Sequence, residues 1–184
     1  MNQINWEKIG KGLEKYVEIM TLYKCSSNIS KDELFQKKYR IFYGINAAHK
    51  SADFCNFYFN LLHKLSKDKN DNIQYILKQL LKIENTKELS FGSKMIATFD
   101  TSMPVWDKNV RRFLNFKHKT NFKDTYKEIS ECIEAYDSLC NWYKLFLKSP
   151  EAKALISEFD IRFPKSKISK IKKIDFIFWQ TSLK

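Results

Sequence analysis

The stretch that decides the fold class is Ile73-Gln74-Tyr75-Ile76-Leu77-Lys78-Gln79-Leu80-Leu81. Its aliphatic side chains recur at intervals of three and four residues, which is the spacing of one face of an α-helix. The segment therefore predicts an amphipathic helix that places one face in a hydrophobic core.

Apolar residues also follow helical spacing in the part of the chain before this segment. Apolar residues between Trp6 and Met20 form one stripe, and the stretch 47–65 is apolar around most of its circumference, as expected of a central helix. Between them, Ser30 and Glu33 have the form of a capping box, in which the Ser hydroxyl and the Glu carboxylate satisfy free backbone donors. We therefore predict three helices here, the second of which begins at Ser30.

The chain after the segment continues in the same way. Apolar residues from Tyr126 to Phe146 fall at multiples close to 3.6 and predict a long helix. Ser149 is a typical N-cap and Pro150 suits the first helical position, so another helix is predicted to begin there. The final apolar run, 174–179, is too short for its pattern to distinguish a helix from a strand.

Composition favours a single helical domain over residues 1–184. The length fits one domain, and 43% hydrophobic with 15% aromatic residues exclude a disordered chain. The chain has 4 Gly and 3 Pro, too few for the many tight turns of a sandwich or a barrel. We therefore predict an all-α fold, a compact multi-helix domain.

Four cysteines are far apart in the sequence: Cys25, Cys55, Cys132 and Cys140. Metal-binding cysteines usually occur as close pairs, so free thiols in a reducing cytoplasm fit this spacing better. His49 and Asp53 lie one helical turn apart without an evident third ligand, so neither a metal nor a cofactor is expected. Because no apolar run has the length of a signal peptide core or a membrane span, the protein is predicted to be cytoplasmic with no membrane partner.

The charge is strongly positive, at +12, from 33 Lys and Arg against 21 Asp and Glu. Part of the excess lies in 162–173, which is predicted to be a basic loop whose Lys170, Lys172 and Lys173 contact phosphates. Such an excess attracts polyanions by neutralising phosphates and releasing counterions, which predicts a nucleic acid partner. A genome biased toward Lys, Asn and Ile codons would give the same charge without such a partner.

The segment 88–112 departs from plain amphipathic design. Ser90-Phe91-Gly92 is predicted to turn the chain, because glycine adopts positive φ freely, and the N–H groups of the next helix would face a phosphate. Lys94 is expected at the start of that helix and Asp107 at the start of the one after it. The arrangement outlines a clamp for a DNA backbone, with its contacts at Ser90, Gly92, Ser93, Arg111 and Arg112.

This segment resembles the hairpin and catalytic loop of the helix-hairpin-helix DNA glycosylase superfamily. Ser90-Phe91-Gly92-Ser93-Lys94 is similar to the hairpin turn, and Val105-Trp106-Asp107-Lys108-Asn109-Val110 with Arg112 is similar to the loop. The resemblance implies DNA repair as a base-excision glycosylase or AP lyase, with Lys94 as Schiff-base lysine and Asp107 as the aspartate that stabilises the cationic sugar. Since a lysine attacks carbon only as the neutral amine, this role requires a lowered pKa.

A second interpretation assigns no chemistry to these residues. Lys94 is then an exposed helix residue, and Asp107 caps a helix, since a carboxylate favours a helix N-terminus. The protein is in that case a non-catalytic helical module that binds nucleic acid or an acidic protein. The two interpretations differ in whether Lys94 and Asp107 face one pocket.

Overall fold

The computed structural model describes residues 4–83, 88–115 and 125–181, and within these ranges the regular structure is helical with no strand. In chain order the α-helices are α1 Trp6–Cys25, α2 Glu33–Phe42, α3 Ala52–Asp68, α4 Ile73–Leu81, α5 Leu89–Phe99, α6 Lys108–Phe113, α7 Thr125–Phe146, α8 Pro150–Arg162 and α9 Lys170–Thr181. A short 3₁₀-helix, Asn46–Ala48, lies between α2 and α3. The prediction of an all-α fold is confirmed.

Short polar side chains cap the starts of several helices and set their bounds. Ser149 accepts a hydrogen bond at 3.1 Å from the backbone N–H three residues on, so the predicted start of α8 is confirmed. The predicted start of α2 at Ser30 is wrong, because Asp32 is the cap and accepts from Phe35 N at 2.9 Å. The helix predicted over 47–65 likewise begins later, after Ser51.

The core is built largely from aromatic side chains. The largest fully buried residues are Tyr16, Tyr39, Tyr58, Tyr136, Tyr143, Phe35, Phe54, Phe59 and Phe159. The apolar run 174–179 is helical and belongs to α9, which packs against α1, α6 and α8. Every residue from 174 to 178 is buried, Asp175 included, so α9 is covered by its neighbours around most of its circumference.

The turn predicted at Ser90-Phe91-Gly92 is wrong, because these residues lie inside α5. Gly92 does not take a positive φ there. A Cβ added to it would lie 3.2 Å from Ile73 Cδ1 and 3.2 Å from Ile76 Cγ2, so the glycine allows α5 to approach α4 closely. The connection between the two helices spans 82–88, of which 84–87 fall outside the described residues. The helix-hairpin-helix element is therefore not confirmed.

The basic stretch 162–173 is only partly a loop. Arg162 is the last residue of α8, the loop covers 163–169, and Lys170, Lys172 and Lys173 belong to the first turn of α9. Among the helices that the structure describes, none combines the length and the apolar character needed to cross a bilayer.

Candidate active site

Lys94 is buried in the middle of α5. It is the sixth of the 11 residues of that helix, so the prediction that it begins a helix is wrong. Its side chain is 7% exposed, which contradicts the interpretation of Lys94 as an exposed helix residue. Its Nζ donates to the backbone carbonyl of Tyr43 at 3.0 Å and lies 4.8 Å from the ring centroid of Phe91.

The environment of Lys94 disfavours its charged form. Burial lowers the pKa of its amine, while the negative charges of Asp107 and Glu88 act in the opposite direction. Burial is the largest of the three effects, so the pKa lies below the ordinary value for lysine. A lowered pKa increases the fraction of neutral amine, which is the nucleophilic form.

Asp107 both caps a helix and lines a cavity. It is the N-cap of α6, where its Oδ1 accepts from Asn109 N at 2.7 Å, so the prediction that it caps a helix is confirmed. It also lines the same cavity as Lys94. A carboxylate used as a cap keeps a second oxygen, and its charge acts on the neighbouring lysine.

Two long-range hydrogen bonds hold the loop between α5 and α6 in place. Trp106 N donates to Ser93 Oγ at 2.9 Å, which joins the end of this loop to α5. Tyr136 Oη of α7 donates to Pro104 O at 3.0 Å. These bonds are buried, and together they fix where α6 begins relative to α5.

The cavity shared by Lys94 and Asp107 is small and highly charged. Its volume is about 100 Å³, about three water volumes, because a water takes about 30 Å³ in the liquid. Two lysines and two aspartates contribute to its walls, and the remaining lining is mainly apolar and aromatic. The lining residues are Phe42, Tyr43, Lys94, Val105, Asp107, Val110, Lys172, Asp175, Phe176 and Trp179.

Asp175 is a cavity residue that sequence reasoning missed. Burial raises the pKa of its carboxyl, and Lys172 and Tyr143 oppose that effect. Its Oδ2 accepts from Lys172 Nζ at 3.2 Å, and its Oδ1 accepts from the hydroxyl of Tyr143. The sequence does contain a signal for it, because Asp175 is the one charged residue within the apolar run 174–179. An acid in a buried run needs partners inside the protein.

The predicted DNA contacts in α5 are largely turned inward. Gly92 and Ser93 are buried, and Ser90 is half-buried. The hydroxyl of Ser93 already donates to Ser90 O and accepts from Trp106 N. In this conformation the two buried residues offer no surface to a phosphate.

The predicted cationic contacts fall into two groups. Arg112 and Lys170 are exposed, and Arg111 is half-buried. Lys172 and Lys173 are buried, and they bond to Asp175 and Asp160 respectively. Arg112 and Lys170 are therefore the exposed cations of the predicted set.

A metal cluster does not occur among the residues that the structure describes, where no three His, Cys, Asp or Glu side chains converge. His49 and Asp53 are both exposed. Comparison with known proteins gives no family model, no curated protein and no solved structure that matches the chain significantly.

Proposed function

We propose that this protein is a DNA lyase that acts at abasic sites, related in its chemistry to the base-excision glycosylases that residues 88–112 resemble. Lys94 is the Schiff-base nucleophile and Asp107 is the carboxylate beside it. One observation carries the proposal: Lys94 is buried with a lowered pKa at a cavity that Asp107 also lines. A buried amine with a perturbed pKa is typical of nucleophilic lysines.

The proposed reaction uses the open-chain aldehyde of an abasic deoxyribose. The neutral amine of Lys94 attacks C1′, and the resulting carbinolamine takes up one proton from solvent and loses water to give an iminium ion. Asp107 stabilises that cation and accepts the proton released from C2′, after which the C3′–O bond breaks and the phosphate leaves with the 3′ strand. Water then hydrolyses the remaining iminium at C1′, which releases the unsaturated aldehyde, the amine of Lys94 and the proton taken up earlier, so atoms and charge balance without an oxidant or a cofactor.

The size of the cavity favours lyase chemistry over excision of an intact base. Pockets that enclose whole ligands are typically about 300–1,000 Å³, well above the cavity volume of about 100 Å³. An abasic sugar has already lost its base and brings only the aldehyde carbon and its neighbours to the amine. Base excision would require the cavity to widen around a flipped nucleotide.

Exposed cations close to the cavity support a DNA partner. Arg112 is on α6, the helix that Asp107 caps, and Lys170 is on α9, the helix that contributes Lys172 and Asp175 to the cavity. The net charge of +12 adds a long-range attraction for phosphates.

The direct test measures strand cleavage and affinity on duplex DNA that carries one abasic site. Lys94→Gln should abolish cleavage and leave affinity nearly unchanged, because the side chain is buried. Arg112→Ala should weaken affinity instead. Lys78→Gln, at an exposed position on α4, is the matched control and should cleave like the parent. Cleavage by Lys94→Gln at the parental rate would exclude the enzyme.

The alternative is a non-catalytic helical module for nucleic acid or an acidic protein. The observation that favours it is that the buried lysines already have partners within the protein. Lys94 donates to Tyr43 O, and Lys172 pairs with Asp175. A purely structural cluster would make the same bonds. In that case DNA affinity persists in a protein that never cleaves.

A further inference from the structure

A second concave surface lies between α1, the end of α5 and the loop 163–169. Its volume is about 480 Å³, within the range of about 300–1,000 Å³ that is usual for ligand pockets. On the α1 side it is walled by Tyr16 and Tyr23, on the α5 side by Thr98, and on the loop side by 165–169. We call this surface the phosphate groove. It shares no lining residue with the cavity of Lys94.

The charge of the groove is entirely positive. Lys24, Lys165 and Lys167 line it, and no Asp or Glu does. All three lysines are exposed, and in the described part of the chain none of them pairs with a carboxylate, unlike Lys172 and Lys173. Three cations around one concave surface focus a field that attracts an anion.

Two serines of the loop 163–169 also line the groove. The Oγ of Ser166 is buried, and within the described residues no group of the protein bonds to it. Ser169 caps α9: its Oγ donates to Thr101 O and accepts from Lys172 N at 3.2 Å, and its carbonyl accepts from Lys173 N at 3.0 Å. The positive end of the α9 dipole therefore adjoins the lysines.

We propose that the phosphate groove binds the phosphate of a nucleotide-sized ligand, either a free nucleotide or one nucleotide unit of a strand. Lysine is a common phosphate ligand, and the hydroxyl of Ser166, which has no partner among the described residues, suits a further phosphate oxygen. The groove is larger than a phosphate requires, and the half-buried ring of Tyr23 and the exposed side chain of Val17 provide apolar surface for a sugar or a base. The inference does not depend on Lys94 or on lyase chemistry.

The test is calorimetric titration at low ionic strength with three probes: deoxyadenosine monophosphate, deoxyadenosine and a short oligothymidylate without an abasic site. We expect a phosphate-bearing probe to bind and the nucleoside to bind at least about tenfold more weakly. The double variant Lys165→Gln/Lys167→Gln should weaken phosphate binding about tenfold, and Lys24→Gln, on a different element, should weaken it severalfold.

The control variant is Lys144→Gln/Lys148→Gln, which removes the same charge from exposed positions that do not line the groove. Its affinity should stay within about twofold of the parent. Binding of the mononucleotide identifies a free nucleotide as the source of the phosphate, and binding of the oligonucleotide alone identifies a strand. The proposal is overturned if neither phosphate-bearing probe binds at millimolar concentration, or if the control weakens binding as much as the groove variants.

Discussion

Trp106 N donates a hydrogen bond to Ser93 Oγ at 2.9 Å, and each of these two residues immediately precedes a candidate catalytic residue. Lys94 follows Ser93 in α5, and Asp107 follows Trp106 at the start of α6. One buried hydrogen bond thus ties together the two elements that present the amine and the carboxylate to the cavity.

Ser93→Ala should therefore loosen the site and destabilise the fold. Removing the acceptor of a buried N–H costs about 1–3 kcal/mol of the free energy of unfolding. Ser138→Ala, which removes an exposed hydroxyl bonded to Glu134 O, should change stability by less than about 0.5 kcal/mol. Denaturant unfolding of both variants checks the prediction, and equal effects would show that the Ser93 bond does not hold the loop.

Tyr143→Phe should destabilise the protein and raise the pKa of Asp175 further. The hydroxyl of Tyr143 donates to the buried carboxylate, and a hydrogen bond to a charged group contributes about 1.5–3 kcal/mol. Tyr75→Phe is the matched control, on the half-buried face of α4. If both variants lose the same stability in thermal unfolding, the Tyr143–Asp175 bond has no special role.

The raised pKa of Asp175 also predicts the direction in which the stability of the folded protein changes with pH. Because its folded pKa lies above its unfolded value, the folded chain holds more protons between the two values. Its contribution to stability is fully present below the unfolded pKa of about 4 and is lost as pH rises through the folded pKa. In Asp175→Asn, a plot of stability against pH should lack this acidic component, whereas a curve identical to that of the parent would contradict it.

Asp107→Asn should lower the pKa of Lys94 further, because the aspartate charge now raises it. Asparagine is also a good N-cap, so α6 should remain stable, whereas Asp107→Ala should cost about 0.5–2 kcal/mol through loss of the cap. NMR titration of labelled lysine side chains measures the pKa, and thermal unfolding measures the cap. An unchanged lysine pKa in Asp107→Asn would show that the two groups do not interact.

Salt dependence should separate the exposed cations from the buried ones. For duplex DNA, log affinity against log salt falls with a slope of about −0.9 per phosphate neutralised, so Lys170→Gln should make the slope shallower by about one such contact. Lys173→Gln should leave the slope unchanged, because Lys173 bonds to Asp160 in the protein. Fluorescence anisotropy over a salt series gives both slopes, and a shallower slope in Lys173→Gln would contradict the assignment of its charge to Asp160.

Much of the helical fold was predictable from the sequence because helical periodicity is a local property. The helix over Ile73–Leu81 and the start of α8 at Ser149 and Pro150 follow from residues close together in the chain. The turn at Gly92 was mispredicted because a glycine has two common uses. Here it permits the close approach of another helix and does not supply a positive φ.

The candidate site was only half predictable because its remaining members depend on tertiary packing. Lys94 and Asp107 were identified from a short motif, but Asp175 joins them only because α9 packs against α6. The burial of Lys172 and Lys173 was equally hidden, since a lysine-rich stretch is normally exposed and no local pattern reveals a partner on another helix.

The most direct test of Lys94 as nucleophile is borohydride trapping on abasic DNA followed by peptide mapping of the adduct. Borohydride reduces the imine to a stable amine, so the modified peptide identifies the lysine that attacked. We predict that the adduct maps to Lys94 and is lost in Lys94→Gln, while trapping by Lys78→Gln equals that of the parent. Absence of an adduct, or adducts spread over exposed lysines and retained in Lys94→Gln, would contradict the assignment of Lys94 as the Schiff-base residue.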